Sequence, residues 1–361
     1  MMKGFSINSD SVNQMTKYLV GAGLIVSTSA SALTLPPRFY ERTLLGVEAI
    51  PILGISFDGN INPFDPTLGD NGNAHLPQPG IDDIHLEGTM ALAGYSISFP
   101  ISDRSARISY LQPVGNMNVT ATGQVTSGGQ TVSNVPIQYY STNGIGDPFF
   151  EFTIGLIGSP ALDELPKAIR YQPGFQMDLL VDLSVPLGEY DSDQAINMGT
   201  NRLWGRVGFP MMYQLGDVWA PSKRASLELL PAVTWYGDND DMYGGGSQST
   251  DLGYSLGAHL TYDLSQHVWV SLDYSYVKSG DYTNSGNVQV SNNGSFEGQD
   301  FSSVGFTVAT DLTRNLNTSL GYQTTINDGG AGEAQMSTFS FNLVYYWADI
   351  LDGLDRTGFK F

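Results

Sequence analysis

The sequence contains no cysteine and little charge. The absence of cysteine among its 361 residues excludes structural disulfides, lipid attachment at a cysteine and thiolate metal sites. Charged residues make up 14% of the chain, whereas ordinary globular domains contain about a quarter. The formal net charge of -20 argues against a nucleic-acid partner, because phosphate binding depends on clustered Lys and Arg. So little charge fits strands that have one face in lipid.

Long hydrophobic runs are also missing. No run approaches the roughly eighteen apolar residues that a membrane-spanning helix requires. A short apolar run at residues 18–27 follows Lys17 and precedes Ala30-Ser-Ala32, a pattern that predicts a secretory signal peptide over residues 1–32. Met15 is an alternative start, because the polar residues before it fit poorly in a signal peptide. An exported chain that lacks a helical anchor and is rich in long amphipathic strands is predicted to lie in a bacterial outer membrane.

The clearest β pattern lies between Asp251 and Gly280. Apolar side chains occupy alternate positions in two arms of this stretch, with small and polar residues between them. Such alternation gives a strand one apolar and one polar face. Each arm has about ten residues or more, enough for a tilted strand to cross a bilayer, whereas strands of soluble sheets have about five or six. The stretch therefore predicts a hairpin of two transmembrane strands.

Ten further segments complete a set of twelve predicted strands. The twelve cover residues 47–57, 86–99, 106–114, 147–157, 174–187, 202–215, 225–236, 251–263, 268–278, 301–312, 316–326 and 336–347. Their connections alternate between short and long, which is typical of bacterial outer-membrane barrels and has no reason to occur in a soluble β-sandwich. The predicted fold is all-β: a transmembrane antiparallel up-and-down β-barrel of about 12 strands over residues 47–347.

The segments that flank the predicted barrel are assigned to the periplasm. Residues 33–46 are predicted to form a periplasmic amino-terminal segment, and residues 348–361 a periplasmic tail. An alternative for the amino-terminal segment is that Phe39 and Tyr40 fold back into the barrel as a plug. We favour a flexible tail over the plug.

Several short motifs resemble a known family. They are LPPRFYE at residues 35–41, ALAGY at 91–95, GIGDP at 144–148, VPLGEYD at 185–191 and NMGTNR at 197–202. Together they resemble the outer-membrane proteins that are named for the meta pathway of phenol degradation. The resemblance implies a barrel channel for the uptake of small, often aromatic or otherwise hydrophobic, molecules. It implies no binding residues, because the shared motifs mark turns and strand ends.

Eight ionisable side chains on the predicted strands are expected to face the lumen. A charge that faced lipid at mid-depth would cost about 2–4 kcal/mol, somewhat less for Asp and Glu. The eight residues are Glu151, Asp178, Asp182, Arg206, Glu228, His259, Asp263 and Asp273. In one interpretation these groups set the polarity of a pore and screen solutes by charge. In the other, they form a hydrogen-bonded network that fills a narrow barrel.

The predicted function is passive uptake of small solutes through an outer-membrane channel, with no cofactor and no metal. Expected partners are outer-membrane lipid, the solute itself and the barrel assembly machinery during biogenesis. Alternatives are a barrel that anchors surface loops for interaction and an outer-membrane lipid hydrolase. No enzyme is expected, because His259, the mid-strand histidine, is predicted to face the lumen, whereas a lipid hydrolase needs its nucleophile outside. Residues 238–241 lack a full set of Ca²⁺ ligands and are interpreted as a solvated loop tip.

Overall fold

A computed structural model describes most of the predicted barrel. It covers residues 36–41, 45–61, 81–127, 130–164, 167, 170–172, 174–216, 224–243, 245–286, 294–296, 298, 300–326 and 334–348. The predicted signal peptide and residues 349–361 lie outside the described residues. Within the described ranges, none of the helices has the length and hydrophobicity needed to cross a membrane.

The described residues form seventeen strands. These are β1 (Glu48–Ile61), β2 (Ile81–Ile101), β3 (Arg104–Ser127), β4 (Gln130–Ile145), β5 (Phe149–Ile157), β6 (Phe175–Ser184), β7 (Trp204–Gly208), β8 (Met211–Leu215), β9 (Ala225–Tyr236), β10 (Ser247–Thr250), β11 (Gly253–Asp263), β12 (Val268–Lys278), β13 (Tyr282–Ser285), β14 (Gly294–Phe296), β15 (Asp300–Thr313), β16 (Leu316–Thr325) and β17 (Ala334–Trp347). Strands β10, β13 and β14 form a small separate sheet, and the others form one large sheet.

The large sheet closes into a barrel. Neighbouring strands around the sheet pair antiparallel, and β17 returns to pair with β1 from Glu48↔Trp347 to Ile61↔Ala334. Two crossings are interrupted: β4 and β5 pair with successive parts of β3, and β7 and β8 both lie between β6 and β9. The fourteen strands therefore make twelve crossings, which confirms the predicted barrel of about 12 strands.

The two ends of the barrel differ in their connections. Residues 102–103, 264–267 and 314–315 join consecutive strands at one end, which we call the turn end. The long connections 185–203 and 237–252 lie at the other end, which we call the loop end. This sorting is the one that the sequence predicts, and the longest connection at the turn end is the one between β5 and β6, residues 158–174.

Side chains alternate between an apolar outer face and a buried inner face. In β6, Val181 is 39% exposed while Asp182 next to it is 1% exposed. The same alternation leaves large hydrophobic side chains exposed on strands around the barrel. An apolar outer band of this kind faces lipid, which explains the low charge of the chain. The protein is an outer-membrane β-barrel.

Strands β2, β3 and β4 continue beyond the predicted barrel at the loop end. β2 has 21 residues and β3 has 24, and β3 and β4 form a hairpin that closes at Ser127↔Gln130. Residues 115–146 lie between two of the twelve predicted strands, so the sequence predicts a long connection here. The extended strands pack apolar residues inward, including Leu86 and Val119, against Ile196 of the connection 185–203. Their outer face lies outside lipid and can be polar, so the apolar alternation fades there.

Candidate functional site

A cavity occupies the middle and the loop-end half of the barrel. Its volume is about 150 Å³. Its lining differs from side to side: β1 and β2 contribute mainly apolar side chains, and β12, β15 and β17 contribute mainly polar ones. Among the apolar residues are Leu53, Ile55, Phe57 and Met90, and among the polar ones are Ser275, Ser303, Thr307 and Asn342. A cavity of this size is large enough for a molecule about as large as benzene.

One ionisable pair, His259 and Asp273, lines this cavity. The two are opposite each other in the β11–β12 register, and His259 Nδ1 lies 2.8 Å from Asp273 Oδ1. Ser271 and Thr307 each donate a hydrogen bond of 2.7 Å to the same carboxylate. Because a carboxylate only accepts hydrogen bonds, Nδ1 of His259 carries the proton in this pair. Nε2 then remains as the second hydrogen-bonding atom of the ring.

Residues 36–41 lie inside the barrel, and we call them the amino plug. Pro36 and Pro37 line the cavity. The backbone amide of Arg38 donates a hydrogen bond of 2.7 Å to Glu228. Its guanidinium donates to Asp263 at 2.5 Å and lies 4.8 Å from the ring centroid of Trp269. The plug therefore forms the turn-end boundary of the cavity.

The rest of the amino plug is held by two more arginines. Arg107 donates a hydrogen bond of 2.8 Å to the carbonyl of Phe39 and lies over the rings of Phe39 and Tyr40 at 4.5 and 5.4 Å. Arg224 forms an ion pair of 2.6 Å with Glu41. Enclosure in the lumen raises the pKa of the Tyr40 hydroxyl well above its usual value, and the charge of Glu151 adds to this. Tyr40 therefore remains a neutral donor.

This placement differs from the periplasmic tail that the sequence predicts for residues 33–46. Residues 36–41 occupy the lumen, as in the alternative with Phe39 and Tyr40 folded back; residues 33–35 and 42–44 lie outside the described residues. The physical reason is the charge of the inner wall. Glu228 and Asp263 are buried, and buried carboxylates need cationic or hydrogen-bonding partners. Arg38 supplies both.

The eight residues predicted to face the lumen fall into three clusters and one separate position. Glu151, Asp182 and Arg206 form the first cluster, with Asp182 and Arg206 joined at 2.6 Å and Glu151 held by Arg107 at 3.0 Å. The other two clusters are Glu228 with Asp263, and His259 with Asp273. Asp178 lies apart from them and accepts a hydrogen bond of 2.8 Å from Ser159.

The basic partners of these carboxylates are the functional residues that the sequence interpretation missed. Arg107 and Arg224 each contact an acidic residue of the predicted set. The inward direction of Arg107 could have been predicted from the alternation of its strand. Arg107 lies between the apolar residues Ala106 and Ile108, as Glu151 lies between apolar neighbours. Arg38 and Arg224 lie outside strands, where alternation gives no information.

Comparison with solved structures identifies similar outer-membrane barrels. The chain is similar to an outer membrane channel from Pseudomonas putida F1, with a TM-score of 0.60 and 15% identity over 87% of this chain and 100% of that one. Similarity is lower to the transport unit of the autotransporter AIDA-I from Escherichia coli, with a TM-score of 0.48 and 8% identity over 91% and 98% of the two chains. The Pseudomonas putida toluene transporter TodX has a TM-score of 0.35 and 9% identity over 88% and 92%. None of the curated proteins matches the sequence.

The sequence itself decides the family. Residues 80–343 match the family model described as "Putative MetA-pathway of phenol degradation". The chain belongs to this family. Below we call it the phenol-degradation family, and the resemblance inferred from the short motifs is confirmed.

Three motifs that carry the family resemblance meet at one hydrogen-bonded node. Asp147 of GIGDP accepts hydrogen bonds from the backbone amides of Gly188 and Thr200, at 2.8 and 2.7 Å, and from the Thr200 hydroxyl at 2.6 Å. Glu189 continues the node, because its amide donates to Ile145 and its carbonyl accepts from Gly199. The node ties the connection 185–203 to the interruption between β4 and β5. In this chain the three motifs therefore have a common structural role.

Replacing Asp147 with alanine is expected to release the connection 185–203. The substitution removes the acceptor for three hydrogen bonds, and a hydrogen bond to a charged group contributes about 1.5–3 kcal/mol. Because about 1.4 kcal/mol corresponds to a factor of ten, limited proteolysis within the connection should become at least about tenfold faster. Asp193→Ala, at an exposed position of the same connection, is the control. Equal cleavage rates in both variants would contradict the anchoring role.

One sequence pattern bears on the hydrolase alternative. Gly253-Tyr-Ser-Leu-Gly257 matches the spacing of a nucleophile elbow. The elbow places its serine on a sharp turn between a strand and a helix, whereas these residues lie within the continuous strand β11. Residues 253–257 therefore have the geometry of a barrel strand and not that of a nucleophile elbow.

Proposed function

We propose that the chain is an outer-membrane channel for the passive uptake of small hydrophobic solutes, including aromatic ones. The observation that carries this proposal is the apolar wall of the cavity, where β1 turns Leu53, Ile55 and Phe57 toward the lumen. Water-filled porins have a polar interior. Apolar side chains in the lumen favour a solute whose free energy falls when it leaves water. Membership of a family described by a pathway of phenol degradation agrees with this solute class.

The arrangement of the ends suggests the direction of transport. In bacterial barrels long loops are extracellular and short turns are periplasmic, so the loop end is assigned to the outside. A solute enters the cavity from the loop end and meets the amino plug, of which Pro36 and Pro37 contact the cavity. Passage to the periplasm then requires the plug to move. The barrel in this proposal is selective, and its twelve crossings enclose less space than a porin of about sixteen strands.

Binding of defined solutes tests this function. Isothermal titration calorimetry of the refolded protein with phenol, toluene and glucose should show saturable binding of the first two and none of glucose. Cells that express the protein should also take up labelled toluene faster than cells that carry an empty vector. Absence of saturable binding by both aromatic solutes would reject the hydrophobic channel and favour a barrel that only anchors its loops.

His259 is proposed to recognise a polar substituent on the solute. It lines the cavity, and its pairing with Asp273 leaves Nε2 for a ligand. His259→Leu should therefore weaken binding of phenol by about two- to tenfold, because one hydrogen bond contributes about 0.5–1.5 kcal/mol. Binding of toluene, which has no hydroxyl, should change little. Calorimetry of both solutes measures the difference.

The control for this prediction is a histidine outside the cavity. His267 lies in the turn between β11 and β12, with its side chain 68% exposed. His267→Leu should leave both affinities unchanged. If His259→Leu weakens phenol and toluene equally, the residue only shapes the cavity and does not select polar substituents.

A further inference from the structure

Four polar side chains meet on the outer face of β1 and β2 near the loop end. Asp58 and Asn60 belong to β1, and His85 and Glu87 belong to β2. The register pairs Asn60 with His85 and Asp58 with Glu87, so that all four side chains share one face. Their neighbours Phe57 and Leu86 line the cavity on the other face. The group is therefore separate from the lumen and reachable from outside the barrel.

Three of these side chains have the spacing of metal ligands. His85 Nε2 lies 3.5 Å from Asp58 Oδ2 and 3.9 Å from Glu87 Oε2, and the three ligand atoms lie within 4.8 Å of one another. Two ligand atoms on a tetrahedral zinc ion, each at about 2.0–2.1 Å from the metal, are about 3.3–3.4 Å apart. Small side-chain rotations bring the three atoms to these distances.

The surrounding hydrogen bonds orient the same atoms. His85 Nδ1 lies 2.7 Å from the side-chain oxygen of Asn60, which makes Nδ1 the protonated nitrogen and leaves the lone pair on Nε2. Histidines that bind metals commonly donate their other N–H to such an oxygen. Asn118 donates to Glu87 Oε1 at 3.2 Å and accepts a hydrogen bond from Tyr139. Oε2 of Glu87 is thereby left facing His85.

We propose that Asp58, His85 and Glu87 bind a zinc ion. One nitrogen and two carboxylate oxygens are ligands that zinc accepts, and water completes four-coordination on the solvent side. The competing explanation is a protonated His85 paired with two carboxylates. A charge-assisted hydrogen bond would be about 2.7–2.9 Å long, and both distances from Nε2 to oxygen are longer than this. Zinc would crosslink β1 and β2 near the loop end, where the two strands lie outside the lipid.

Zinc titration of the refolded protein tests the site. Isothermal titration calorimetry with zinc chloride, in the absence of chelator, should show one saturable site. His85→Gln and Glu87→Gln should each weaken binding at least about tenfold, and Asn60→Ala should weaken it by about tenfold, as loss of an outer partner usually does. His267→Gln is the matched control, because His267 is exposed and lies 3.9 Å from a single carboxylate, that of Asp311.

A spectroscopic measurement distinguishes a metal ion that is coordinated by these side chains from one that is only attracted to acidic residues. Cobalt(II) in place of zinc should give the strong visible absorption of a tetrahedral ion, and His85→Gln should remove it. Circular dichroism of each variant verifies that the barrel is folded. Absence of a saturable site, or equal affinity in His85→Gln and the unaltered protein, would overturn the proposal.

Discussion

Arg38→Ala is expected to open the lumen to ions. The substitution removes an ion pair to Asp263 in which the two side chains are only 7% and 5% exposed, together with the hydrogen bonds to Thr261 and the contact with Trp269. Asp263 keeps Arg224 as its second cation, so the loss is that of the charged hydrogen bonds of Arg38, which contribute about 1.5–3 kcal/mol each. Since about 1.4 kcal/mol is a factor of ten, the docked amino plug should lose roughly a hundredfold or more in population relative to the undocked state.

The barrel itself should survive this substitution. Closure depends on the β1–β17 ladder, which pairs fourteen residues of each strand, and the amino plug is not part of it. Arg38 also has a φ of 63°, a backbone conformation that costs free energy for a residue with a side chain. Its contacts in the lumen offset this cost, so their loss favours undocking further.

Single-channel recording in planar bilayers measures the effect of Arg38→Ala. Open probability and conductance should both exceed those of the unaltered protein. Lys167→Ala is the control, because it also removes a cation paired with a carboxylate, in an exposed pair with Asp163 at the turn end. Conductance that stays the same in both variants would mean that the amino plug does not limit the pore.

The sequence predicts the barrel well where lipid constrains it. The arms of the hairpin at residues 251–280 become β11 and β12, paired through Leu260↔Leu272, with both leucines exposed on the outer face. Lipid requires an apolar residue at every second position, so that the period of two is preserved along the whole crossing. The number of crossings follows from counting such segments.

Prediction fails where this constraint ends. No strand is predicted between residues 57 and 86, yet β1 continues to Ile61 and β2 begins at Ile81. The proposed zinc ligands Asp58 and His85 therefore belong to paired strands that the sequence does not reveal. Above the membrane a strand can be polar on its outer face, and the alternation that identifies it is lost.

The contacts of the amino plug could not be predicted from the sequence, for a different reason. Arg38 pairs with residues that are 190 and 225 positions away in the chain. The motif LPPRFYE marks a distinctive segment, but spacing along the chain does not indicate which lumen carboxylate an arginine will reach. The inward direction of Glu228 and Asp263 was predictable, and their partner was not.

Arg206→Leu should destabilise the barrel by about 3–5 kcal/mol, because it leaves the buried carboxylate of Asp182 without its cation. Asp182 and Arg206 are opposite each other in the β6–β7 register, their side chains are 0% and 5% exposed, and the atoms that join them are 2.6 Å apart. Glu151 lies opposite Asp182 on the other side. Without Arg206, two carboxylates face each other in the lumen, with Arg107 as the remaining cation beside Glu151.

The double substitution Asp182→Leu with Arg206→Leu should recover most of that loss. Replacing a whole buried pair by apolar side chains of similar volume is often neutral or stabilising, whereas removing one partner is not. Urea unfolding of the refolded protein in lipid measures Arg206→Leu, Asp182→Leu and the double variant against the unaltered chain. Destabilisation of the double variant by the sum of the two single losses would show that Asp182 and Arg206 act independently. Recovery would show that the lumen tolerates the charges of Asp182 and Arg206 only as a pair. Such pairing allows a barrel with an apolar cavity wall to keep ionised groups inside it.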